Sequence, residues 1–179
     1  MWAKIFLREH ALNNILPEAD EIYLGEDCLF TFSNIINASC VVVCNEYKGY
    51  HYIEYENSIT HSYRKAYFHD IDILYDTLKK MTANINTKAI EKAIAYNYVF
   101  LFFGGILQEI GRGNKINYIE KYKNISLFCK GHRFKESIKK VDIEKLPDNI
   151  RGYVELWAKN KTLVFMVKYL ISVVIKRIF

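Results

Sequence analysis

The chain has 179 residues, a formal charge of +5 and 51% hydrophobic content, with 14 Tyr and 11 Phe. That is enough apolar material for one domain with a real core, and it excludes a disordered or low-complexity protein. The 25 basic and 20 acidic residues are unevenly placed: residues 156–179 hold Lys159, Lys161, Lys168, Lys176 and Arg177 and no acid, so the rest of the chain is balanced. This excludes a general basic coat, and no nucleic-acid partner is expected; a local contact of the C-terminus with anionic lipid is compatible with it.

In chain order, Ile5, Leu12 and Ile15 in "WAKIFLREHALNNIL" stand at near-helical spacing and predict a short helix or turn, followed by a loop through Pro17. A helix is predicted from about Glu26 to Ala38, with Cys28, Phe32, Ile35 and Ile36 as its buried stripe. "SCVVVCN" is a β-branched run that predicts a buried strand. "GYHYIEY", after a turn at Lys48 and Gly49, reads as its partner. From about Tyr63 the pattern is helical, with helices near 64–82, 87–110, 115–129, 147–159 and 161–178. Pro147 suits the first turn of the fourth, and Gly111-Arg-Gly113 a break after the second. The expected fold class is therefore α+β and mostly helical. A strand pair alone is marginal, so further strands or helices must cover it.

The four cysteines, Cys28, Cys40, Cys44 and Cys129, form no CxxC pair and no zinc framework. Cys40 and Cys44 border the apolar run and read as buried thiols, which fits a reducing compartment. The N-terminus carries no sustained apolar segment, so no secretory signal is expected. The longest clean apolar run, "YVFLFFGGIL", falls short of the roughly 20 residues that span a bilayer.

Glu26 and Asp27 open the first firm helix, in "YLGEDCLF". Acids in a first turn favour the positive end of the helix dipole, which by itself accounts for them. Their neighbourhood adds a second reading. "WAKIFLRE" resembles the W-N-K-[LI]-[FY]-x-R-E stretch of bacterial family-2 glycosyltransferases, which are inverting enzymes with a GT-A-type fold. In that family a G-E-D-x-x-F helix follows, then a buried strand, then a Tyr-rich strand ending like R-E-G-S-I-T. Here the same order gives "GEDCLF", "CVVVC" and "YHYIEYENSITHS", so the resemblance spans about residues 2–62.

The resemblance implies an acceptor-side part of a GT-A-like domain over residues 1–62 and a helical C-terminal region over 63–179. It implies a sugar passed from a nucleotide-sugar to a glycan acceptor hydroxyl in surface polysaccharide synthesis. Asp27 would be the general base and Glu26 would orient the acceptor; an ionised carboxylate suits a proton taken from a hydroxyl at neutral pH. Trp2 and Lys4 match the family's Trp and Lys and would support the acceptor site by packing beneath it; ordinary core packing accounts for them equally well. Ala3 replaces the family's Asn, and Ile53 and Tyr55 stand where basic residues are common. The family's nucleotide-binding half, with the D-x-D that holds a divalent metal (Mg or Mn), has no counterpart before Met1. The isolated chain is therefore expected to be inactive and to bind no cofactor alone.

Asp70-x-Asp72 in "HDIDIL" follows the base and lies in a helical pattern, so its carboxylates point to different faces and read as a solvated helix surface. His51 and His61 flank the Tyr-rich run; as metal ligands they lack partners at metal spacing, and ordinary surface histidines account for them. Arg64 and His69 form an R-x4-H like that of HEPN-type helical ribonucleases, a short pattern that also arises by chance.

In the last helix, at about 100° per residue, Lys161, Lys168, Ser172 and Lys176 fall on one stripe, with Arg177 beside them and a broad apolar face around them. That is the pattern of an interfacial helix with snorkelling lysines, or of a helix docked on the core with its lysines in water. A cytoplasmic protein, peripheral at the inner face of the cell membrane, fits both the chemistry and this helix. The alternative function is a non-catalytic membrane-surface or assembly module.

Overall fold

The structure is a computed structural model that describes residues 4–43, 63–85, 87–111 and 113–178, with side chains through 172. Among the described residues every regular element is helical: α1 (Arg8–Asn13), α2 (Glu26–Ile36), α3 (Tyr67–Met81), α4 (Lys88–Ile110), α5 (Tyr118–Lys130), α6 (His132–Lys140), α7 (Asp148–Ala158) and α8 (Thr162–Ile178), joined in places by short 3-10 turns. The expected α+β class with a GT-A-like sheet is thereby corrected to an all-helical fold. Residues 40–43 form no strand, and Val41, Val42 and Val43 are exposed. A β-branched run becomes a strand only where a neighbour and a buried face receive it, and among the described residues these valines have neither. The expected partner run, 49–55, lies outside the described residues.

The chain divides into two compact units, Met1–Ser62 with Ala66–Ile85, and Tyr63–Lys65 with Asn86–Phe179. In the first, α2 buries Leu29, Ser33 and Asn34 rather than the expected Cys28, Phe32, Ile35 and Ile36; Ile35 is exposed. The stripe is displaced by one position because the start of α2 rests on α3. Gly25, the residue before α2, has φ +93°, and a Cβ there would stand 2.7 Å from a Leu74 methyl. The N-terminal stretch also packs on α2. Phe6 meets Phe30 edge-on at 5.5 Å, a ring nitrogen of His10 bonds the Asn34 carbonyl at 2.9 Å, and Asn37 donates to Asn14 at 2.7 Å. Ile5, Leu12 and Ile15, whose spacing predicted the helix, are themselves exposed.

Gly25→Ala tests this seat. The left-handed backbone costs an L-residue roughly 1–2 kcal/mol, and the methyl must also displace Leu74. A urea melt should show a loss of about that size or larger. An unchanged midpoint would mean the Gly25 turn does not fix the start of α2.

In the second unit α4 is the central helix. Thr87 caps it by accepting from the Ile90 amide at 3.3 Å, and it ends at Ile110 with Gly111 as its C-cap, at the break the glycine pair predicted. With 23 residues and a mean hydropathy of 1.3 it is long and apolar enough to cross a bilayer, but half of that window is buried. Its inner side, including Tyr98, Val99, Phe102 and Ile106, is covered largely by α6 and α5. It is the core helix of this unit.

Phe102 stacks on Phe134 of α6 at 4.2 Å, and Trp157 of α7 sits among Phe102, Phe103, Tyr153 and Phe165. The Tyr96 hydroxyl donates to the Asp142 carbonyl at 3.0 Å and accepts from its amide at 3.1 Å, fixing the chain after α6 to α4. The thiols divide between the two environments. Cys40, expected buried, is exposed, Cys44 lies outside the described residues, and Cys129 is fully buried.

Burial pushes the Cys129 thiol up from about 9 to about 12, against smaller opposing effects of Lys135 and Thr162. Because the folded value is the higher one, this contribution to stability is complete below pH 9 and is lost as pH rises toward 12. At mildly alkaline pH a maleimide should modify Cys40 quickly and Cys129 only after unfolding. Peptide mass mapping that found equal rates would contradict this.

Candidate functional site

The acid pair lies on the first unit. The left-handed turn at Gly25 aims the chain into α2, and Glu26 and Asp27 occupy its first turn, where the helix leaves amide groups unpaired. Both side chains are exposed. Burial raises the Cys28 thiol first of all, the charge of Asp27 raises it further, and Lys4 opposes them. Lys4 therefore lies within electrostatic reach of the same helix start. The structure thus brings Lys4, Glu26, Asp27 and Cys28 to one place; Trp2 lies outside the described residues.

Asp70 of α3 supports this place from below. It was expected on a solvated face, but it is 1% exposed, and Asp72 is half-buried. One Asp70 oxygen accepts from the Tyr23 amide at 3.3 Å, and the other has no hydrogen-bond partner among the described residues. Asp70 thereby ties down the loop that leads through Gly25 to the acid pair. Its signal was present in the sequence, since Asp70 falls in register with Tyr67, Ile71, Leu74 and Leu78, the buried side of α3.

A second polar cluster lies within the other unit. Glu109 is buried near the end of α4; its carboxylate accepts from the Tyr63 hydroxyl at 3.2 Å and from the Asn124 amide at 2.7 Å. The Lys121 ammonium is buried too and donates to the Ile110 and Gly111 carbonyls at 3.1 and 2.7 Å, closing the C-terminus of α4. Burial lowers Lys121, which the Glu109 charge opposes, and burial followed by the same charge raises Tyr63. These polar groups answer one another, so the cluster fastens α4, α5 and the Tyr63 segment.

The remaining candidates are scattered. Arg64 groups with the second unit and His69 is exposed on α3 of the first. Lys161, just before α8, and Lys168, on it, are exposed, and Lys176 and Arg177 fall on its last turn, beyond the described side chains. His51 and His61 lie outside the described residues. Among the described residues no group of three His, Cys, Asp or Glu side chains could hold a metal ion, so the divalent metal has no ligand set there. Two open grooves among the described residues, one beside α1 and one between α5 and the start of α8, do not include Glu26 or Asp27. No family model, curated protein or solved structure matches this chain.

Proposed function

We propose that the chain carries the acceptor-activating carboxylates of a family-2-like glycosyltransferase. The observation that supports this is the exposed acid pair on a rigid helix start, seated by Gly25 and by the buried Asp70. In this reading the Asp27 carboxylate takes the proton of a glycan hydroxyl. The freed oxygen bonds to the anomeric carbon of a nucleotide-sugar, and the nucleoside diphosphate leaves from the opposite face, inverting that carbon. Glu26 accepts a neighbouring acceptor hydroxyl and orients it. In this reading the pair would work beside a nucleotide-sugar site, where a bound Mg or Mn would offset the charge of the departing diphosphate, and the chain alone is expected to transfer no sugar. The reaction takes place in the cytoplasm or at the inner membrane face, where nucleotide-sugars are found.

The test is sugar transfer by the natural gene product from its own cell, with and without Asp27→Asn. No transfer in any context, or full transfer by the variant, removes the reading. One observation favours a second, non-catalytic role at a membrane surface: the outward side of α8 is apolar and exposed.

A further inference from the structure

We infer that the outward face of α8, with the adjoining edge of α5, docks on an anionic membrane surface. The inference is independent of the transferase reading. Thr162, Phe165 and Met166 turn α8 onto the core of its unit and are buried. A docked helix of a water-facing protein then presents polar residues on its other side. Here the other side carries Leu163, Val167 and Ile171 at successive i+4 positions, 64%, 48% and 53% exposed, with Val164 beside them at 44%. Single exposed aliphatics are ordinary; a continuous stripe of them along one helix marks an interaction surface.

Charge selects the occupant. Lys161 and Lys168, seven residues apart, flank the stripe and are exposed. Across the groove at the start of α8, α5 presents Lys123 and Lys130 with Tyr122 and Leu127, all exposed. From residue 156 onward there is no acid, and α5 has a single one, Glu120 in its first turn. Residues 156–179 thus hold five basic residues and no acid, and two of the five, Lys161 and Lys168, border the exposed apolar stripe.

A protein partner that covered the stripe would have to pair or desolvate these lysines. A lipid surface accepts the apolar side chains at the depth of the acyl boundary, while the lysine stems extend sideways and reach the phosphates. Phosphatidylglycerol headgroups supply the matching negative charge.

The experiment is co-sedimentation of the full chain with phosphatidylcholine vesicles, with and without phosphatidylglycerol. Binding to the anionic vesicles is expected to be at least about 10-fold stronger than to the neutral ones and to weaken with salt. Val167→Glu with Ile171→Glu should abolish it, and Lys161→Glu with Lys168→Glu should reduce it about 10-fold, with helix content by circular dichroism unchanged. Should the first pair disturb folding, Leu163→Ser serves in its place. Equal binding to neutral vesicles, binding that survives both pairs, or no vesicle binding would each overturn the inference. A dimer that forms without lipid and is broken by Val167→Glu with Ile171→Glu would do so as well, by assigning the stripe to a second copy.

Discussion

On the proposed transferase reading, Asp27→Asn should lower sugar transfer by the natural gene product about 100-fold or more, the usual contribution of a general base. Asparagine keeps the shape of the side chain but cannot hold the proton taken from the acceptor. Because Asp27 is exposed in a first turn, the helix-dipole interaction lost with the same change is worth about 0.3–1 kcal/mol, and the melting curve should move far less than the turnover. Glu26→Gln should have a smaller effect on transfer, because an amide still accepts a hydrogen bond from a sugar hydroxyl. A loss of stability with turnover per folded molecule unchanged would assign the pair to helix initiation alone.

Trp157→Ala should cost the second unit about 3–5 kcal/mol, which is comparable to the whole stability of many domains. Trp157 is fully buried, and four rings surround it, with centroids of Phe165, Phe102, Phe103 and Tyr153 at 5.0, 5.9, 6.0 and 6.4 Å. Truncation leaves a cavity where α4, α7 and α8 meet, and rings fixed by one another relax poorly into it. Trp157→Phe is a sharper probe. The indole Nε1 has no hydrogen-bond partner among the described residues, so phenylalanine removes a buried orphan donor along with some volume. Its cost should be well below that of alanine. Urea unfolding followed by helical circular dichroism separates the cases, and equal midpoints for alanine and wild type would mean the aromatic cluster is not the core of this unit.

The long helices were legible because each carries its own evidence. α4 has apolar residues throughout and Gly111 at its end, and Pro147 marks the entry to α7. α6 was not legible: "HRFKESIKK" is polar and buries little besides Phe134 and Ser137. It exists because Phe134 finds Phe102 on α4, a contact far away in sequence. Asp70 was misread for a related reason. Its charge argued for solvent, while its register with Ile71 and Leu74 placed it against the Tyr23 loop. The residues 40–43 failed in the opposite direction, since three valines state a preference for a pleated surface that the fold does not supply there.

Periodicity, charge and turn chemistry are local, so helices α3, α4, α5, α7 and α8, the run of positive charge at the C-terminus and the start of α2 at the acid pair could be read from the residues alone. Packing between segments set the rest: which residue of α2 faces inward, that Asp70 is buried beneath the acid pair's loop, and that α8 leaves a second apolar side exposed among the described residues. Each depends on what another segment presents at the point of contact: Leu74 against Gly25, the Tyr23 amide against Asp70, and the core that receives Phe165 and Met166 while Leu163, Val167 and Ile171 remain outside.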